Sequence, residues 1–344
     1  MIHRIERLRK LGRNGLVALA GLAGILLLAG PSSRAATCPP ASGEELLGGV
    51  PAVASDAGCG VQEGKAIRVA LGELPLPSIV PDGIVPVAEA AERPRLPPLV
   101  IQIFSATSGV AAHPHAEARV PFGYKLIGGG ARVDYNGAGN ILTASYPMGR
   151  RWIADSKDHD ISDPAIITAY AIGLFDPFNR WDVQVRQSTS AVAPHPTASV
   201  SVPFGYVMTG GGARVDYAGN GNLLTASFPS SRRTWEARSK DHIHPDPASI
   251  TAYVIGIRAR NGARGPRMII ASATTGVAAH PSGTVSVGFP FQISGGGAID
   301  NWTGAGNLLT AIYPSSPSTW TAAGKDHEVS DPANLTIYAI GLAR

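Results

Sequence analysis

One sentence is written three times in this chain of 344 residues, and the copies agree in polar as well as apolar positions. Starting from His113-Pro114, His195-Pro196 and His280-Pro281, each copy runs through a triple glycine, Gly-Asn-x-Leu-Thr-Ala, a Trp, Lys-Asp-His, Asp-Pro and a closing Tyr-x-Ile-Gly. The copies begin 82 and 85 residues apart, longer than the rung of a solenoid, so each reads as a small domain-sized unit. The modules occupy about 98–175, 181–258 and 267–344, with short connectors that imply packed or fixed neighbours. A unit of under 80 residues buries only a modest core, so contacts between modules should contribute to stability.

The amino terminus reads as an export signal. Arg4, Arg7, Arg9, Lys10 and Arg13 precede an apolar run from Gly15 to Ala29, and Ser33-Arg34-Ala35 offers the small residues of a cleavage site. Cleavage after Ala35 leaves no transmembrane segment in the mature chain, which is expected to be secreted, periplasmic or held at the cell surface. The first 35 residues carry six Lys/Arg and one Glu, and without them 23 basic residues face 24 acidic ones. That near-neutral balance removes the electrostatic case for nucleic acid. Residues 36–97 form a spacer rich in Pro, Ala and Gly. They hold the two cysteines, Cys38 and Cys59, which an oxidising compartment would join in one disulfide.

Period-two alternation dominates the modules. Rows such as Phe122, Tyr124, Leu126 and Leu142, Ala144, Tyr146 describe half-buried antiparallel strands, while the closing strand, apolar on both faces, should be central. Five or six short strands per copy predict an all-β chain of three tandem antiparallel β-sandwich or β-prism-like modules. The triple glycine leads from strand to strand with no Lys-Ser/Thr after it, so it marks a bulge or close backbone approach rather than a nucleotide loop.

Among the repeated polar residues, alternation puts Trp152, Ala154, Ser156 and Asp158 on one face, a core row whose Asp serves the following turn by accepting backbone N–H bonds. Lys157 and His159 emerge on the other face, as do Lys240 with His242 and Lys325 with His327. Such pairs, joined by His113, His195 and His280 and by Asn140, Asn222 and Asn307 as further ligand-binding candidates, would suit an anionic or hydroxyl-rich ligand, or simply a solvated face. Of His113, His195 and His280 only the first has a second histidine nearby, His115, so they suit a loop contact or packing against Trp better than a metal site. The loops ending at Asn140, Asn222 and Asn307 each begin at one carboxylate, Asp134, Asp216 or Asp300. Such loops suit tight turns needing positive φ at Gly and Asn better than calcium. No metal and no cofactor are expected.

The run GGGA, GNLLTASYP, W, KDH, DPA and YAIG resembles a pattern of secreted bacterial repeat proteins, which carries no activity with it. The order of aromatic strand, polar loop and closing strand is also similar to six-stranded lectin modules of the H-type class, although Tyr170, Tyr253 and Tyr338 stand where a Trp is usual there. The three triple glycines further resemble the threefold β-prism of vitelline-membrane outer-layer proteins. These likenesses imply fold alone. Triplication favours an exported, non-enzymatic module that recognises glycan or cell-envelope polymer multivalently, because linked weak sites raise avidity. A hydrolase or lyase using His and Asp would need the His-Pro loop to approach the Lys-Asp-His turn. A structural coat or matrix protein is the third reading.

Overall fold

The computed structural model describes residues 98–260 and 262–344; the expected export signal, the spacer and the Cys38–Cys59 disulfide lie outside them. Each module supplies six strands. The first gives β1 (Ile101–Thr107), β2 (His115–Arg119), β3 (Tyr124–Asp134), β4 (Asn140–Met148), β5 (Arg151–Asp158) and β6 (Ile166–Phe175). The second gives β7 (Trp181–Thr189), β8 (Thr197–Ser201), β9 (Val207–Asp216), β10 (Asn222–Pro229), β11 (Thr234–Asp241) and β12 (Ser249–Ala259). The third gives β13 (Arg267–Thr274), β14 (Ser282–Ser286), β15 (Gln292–Asp300), β16 (Asn307–Ser316), β17 (Thr319–Asp326) and β18 (Leu335–Ala343).

Within the first module β1-β6-β3 forms one antiparallel layer and β2-β5-β4 the other, and the other modules repeat this division. The closing strand β6 lies between β1 and β3, as its two-sided apolar pattern requires; Ile167, Ala169, Ala171 and Ile172 are all buried. Trp152, Trp235 and Trp320 fill the space between layers and are wholly inaccessible to solvent.

The layers do not stop at module boundaries. Strand β4 pairs with β9, β10 with β15, and β16 returns to β3, so every layer is half of a six-stranded sheet shared with a neighbour. Three sheets therefore close a ring about a central axis, and sandwich and prism are two descriptions of one object. A stacked aromatic pair marks each seam: Tyr146 with Tyr253, Phe228 with Tyr338, and Tyr170 with Tyr313, centroids 5.1, 5.5 and 5.1 Å apart. Such pairs add roughly 0.5–1.5 kcal/mol each beyond their burial.

The triple glycine makes this ring sterically possible. Register shifts do fall there, between Leu126 and Gly128, Met208 and Gly210, and Ile293 and Gly295. Its first residue approaches the axis: a Cβ on Gly210 would lie 3.2 Å from the Cα of Gly128 and 3.6 Å from that of Gly295. Its second seats the indole, since a Cβ on Gly211 would lie 2.3 Å from the Trp235 ring. Its third lets the neighbouring module cross, a Cβ on Gly212 falling 2.2 Å from the Ser145 carbonyl oxygen.

Two local expectations are corrected. The glycines and Asn of the loops before β4, β10 and β16 do not take positive φ; that conformation occurs instead at Gly123 and Gly205 and at Asp160, Ile243 and Glu328. Phe122 does not share the buried row of Leu126, because it occupies the turn before β3 and is 94% exposed, as Phe204 (89%) and Phe289 (100%) are at the matching turns.

Candidate functional site

Lys157 and His159 share a face, as alternation requires, but that face is not open to solvent. Lys157, Lys240, Lys325, His159, His242 and His327 are all buried, because ring closure turns the outer face of each β5-type strand toward the axis. Each lysine reaches into the next module. Lys157 donates to the carbonyls of Gly219 and Asn220, Lys240 to those of Gly304 and Ala305, and Lys325 to those of Gly137 and Ala138. Their ammonium groups stand over Tyr217, Trp302 and Tyr135 at 4.2, 4.0 and 4.3 Å. Burial lowers Lys157 and Lys240 to about 8 and lowers Lys325 as well. The exposed ligand grip expected of these residues is therefore corrected to three clasps between modules.

The three histidines meet at the axis, His159–His242, His242–His327 and His159–His327 centroids lying 4.8, 5.0 and 5.0 Å apart. Burial, then neighbouring imidazoles, lowers His159 to about 4 and His327 to about 3; burial lowers His242 too. All three are neutral at pH 7.

Asn140, Asn222 and Asn307, also expected at a ligand, are wholly buried. Their amide nitrogens donate to the carbonyls of Ala112, Pro194 and Ala279, each at 3.1 Å, and to Asp158, Asp241 and Asp326 at 2.8, 2.8 and 2.9 Å. The Asp of Lys-Asp-His thus takes a side-chain amide rather than the backbone N–H of its turn. Backbone capping falls instead to Asp163, Asp246 and Asp331 of the Asp-Pro pairs, which accept from Gly137, Gly219 and Gly304 at 3.0–3.1 Å.

The His-Pro loops do approach the Lys-Asp-His strands, through backbone bonds such as Asp158 N–H to Ala112 C=O at 2.8 Å. Their side chains diverge: His113, His195 and His280 are exposed while the axial histidines are buried, so no His–Asp pair forms across them. His113 and His195 open onto the seams instead. At the seam of modules 1 and 2 a cavity of about 170 Å³ is lined by His113, Thr143, Asp155, Ser156, Arg214 and Tyr217, among others. At the seam of modules 2 and 3 the matching cavity of about 340 Å³ is lined by His195, Thr225, Arg238, Ser239, Asp300 and Trp302, among others. His195 packs edge-on against Trp302, centroids 5.5 Å apart, so a His-Pro histidine does contact a Trp, one belonging to the next module.

Asp300 distinguishes the second cavity. By strand register it faces Leu335, the place that Val133 holds against Ile167 and Val215 against Ile250. It is therefore a carboxylate in a valine's buried position, not the counterpart of Asp134 and Asp216, and the loop that follows is no longer than the others. Only 3% of it is exposed, neither carboxylate oxygen has a hydrogen-bond partner, and burial raises it to about 7. Ser239 Oγ, in the same cavity wall, is likewise buried and unpartnered. In the other seams the acids are exposed and paired, Arg214 with Asp216 at 2.7 Å and Arg132 with Asp134 at 2.9 Å. Ile299 replaces those arginines at the 2–3 seam, and Arg238 there is held by Glu236 at 2.5 Å.

The arrangement offers an indole wall, an imidazole edge, hydroxyls and a carboxyl group able to accept or donate. Such a set recognises a hydroxyl-bearing ring by one stacked face and several directed bonds. Among the described residues no helix is long and apolar enough to cross a membrane. No protein-family model matches the chain, and no curated protein matches it.

Proposed function

We propose that this chain is an exported, non-enzymatic binding protein that takes a sugar unit of a glycan or cell-envelope polymer at the seams between its modules, chiefly the 2–3 seam. One observation carries the reading: a buried carboxylate that feels the charge of Lys240 but has no hydrogen-bond partner occupies a valine position in the wall of a cavity beside Trp302. A buried acid left without a hydrogen bond costs roughly 1–3 kcal/mol, and valine fills the same position in the other two modules. A sugar hydroxyl or amine would give Asp300 and Ser239 their missing partners while a ring face lies against Trp302. The cavity volume is of the size that ligand pockets of this kind have.

A glycan array comparing the wild type with Asp300→Asn and Asp300→Val tests it, with thermal melts alongside. The wild type should retain a defined subset of glycans that both variants lose while remaining folded. Identical array profiles for all three proteins would sink the assignment. Turnover of a glycan by the wild type would replace binding with hydrolase or lyase chemistry.

A further inference from the structure

We infer that His159, His242 and His327 form a binding site for a single divalent transition-metal ion, of the class of zinc, cobalt, nickel or copper, on the axis of the ring. One ring nitrogen from each lies within 4.8 Å of the others, and all three side chains are buried. The hydrogen bonds fix where the lone pairs are. The Nδ1–H of His242 donates to the Ala305 carbonyl at 2.8 Å, which leaves its Nε2 as an acceptor. That Nε2 takes the Nδ1–H of His327 at 3.0 Å, so His327 Nε2 holds a lone pair. The Nε2–H of His159 donates to the His242 carbonyl at 3.1 Å, so its Nδ1 holds one too.

These last two nitrogens, buried and aromatic, have no donor opposite them. His159 Nδ1 instead stands 3.4 Å from the Asp160 carboxylate oxygen that His244 Nε2 reaches at 3.0 Å, a lone pair against an acceptor, and a cation between His159 and Asp160 would relieve that arrangement. Asp160 and Glu328 form a second potential ligand group with His159 and could supply a fourth donor. Both His159 and His242 are oriented through backbone carbonyls, the second-sphere contact that holds metal-binding imidazoles in place. Three nitrogens and an optional carboxylate suit borderline metals, not calcium or magnesium. A shared ion at about 2.0–2.1 Å would draw the rings inward by roughly an ångström and replace the one His–His hydrogen bond. The nearby lysines oppose a cation, but each ammonium is engaged by carbonyls of the next module and faces a carboxylate, Asp246 for Lys157, Asp331 for Lys240 and Asp163 for Lys325.

The untagged full chain, stripped with chelator, is titrated with Co²⁺ and then Zn²⁺. One equivalent of Co²⁺ should bind with an intense visible band of low coordination number, Zn²⁺ should displace it, and a hundredfold excess over Kd should raise Tm by roughly 5–10 °C. His159→Gln with His327→Gln should abolish the band. Should that variant fail to fold, the Cu²⁺ electron paramagnetic resonance spectrum of the wild type decides, three coupled nitrogens supporting the axial site. No stoichiometric binding by the wild type, an undiminished band in the folded double variant, or coupling to a single nitrogen overturns the inference.

Discussion

The indole N–H of Trp235 donates to the Ser227 hydroxyl across 3.0 Å, and Trp152 with Ser145 repeats that bond at 3.0 Å. In the third module Ile312 stands at the serine position and the buried N–H of Trp320 has no acceptor. Ser227→Ala should therefore cost about 1–2 kcal/mol in a urea melt by orphaning a buried donor. Trp320→Phe should be tolerated better than Trp235→Phe by a similar margin, and the opposite order would mean that the indole bond contributes nothing.

Glycine at the centre of the triplet is a seat, not a hinge. Gly211→Ala would place a methyl 2.3 Å from the Trp235 ring and 2.4 Å from the Tyr253 carbonyl oxygen. The indole is enclosed and cannot withdraw, so a loss of about 3 kcal/mol or more is expected, enough to abolish cooperative unfolding in a marginal chain. Gly276→Ala, where a Cβ meets nothing within 4 Å, should change stability by less than about 0.5 kcal/mol. Comparable melts for the two variants would remove this account of the triplet.

Asp300 makes stability depend on pH with a definite sign. Its folded value is raised from 3.8 to about 7, so only well below pH 3.8 is the carboxyl neutral in both states. As pH climbs from about 4 to 7 the unfolded chain releases this proton first, and the folded state loses stability relative to it. Asp300→Val lacks this term. The variant should gain on the wild type across that window and stay ahead by about 1–3 kcal/mol at pH 8. A pH-independent difference between the two would mean that the acid titrates normally.

Much of the fold is legible from single strands. Two-residue alternation located the Trp rows and the central closing strand because both depend on contacts inside one module. The seams were not legible in the same way. Alternation said that Lys157 and His159 share a face, but a strand does not announce which neighbour covers it, and a charged face ordinarily meets water. The covering surface here comes from copies 82 and 85 residues away in the chain. Asp300 was within reach: it follows Gly297 by three residues, whereas Asp134 follows Gly130 by four. Counting from the triplet, rather than matching acid to acid, puts it in register with Val133 and Val215.

The exchange of strand pairs around the ring has a consequence for how such a molecule can change. Were the three modules separate, identical chains, a substitution at one junction would be imposed on all three at once, and a buried acid would be paid for threefold. Covalent linkage lifts that constraint: Ile299 and Asp300 alter one junction while Arg132 with Val133 and Arg214 with Val215 keep the other two packed and charge-balanced. Two conservative junctions hold the ring while the third is free to specialise.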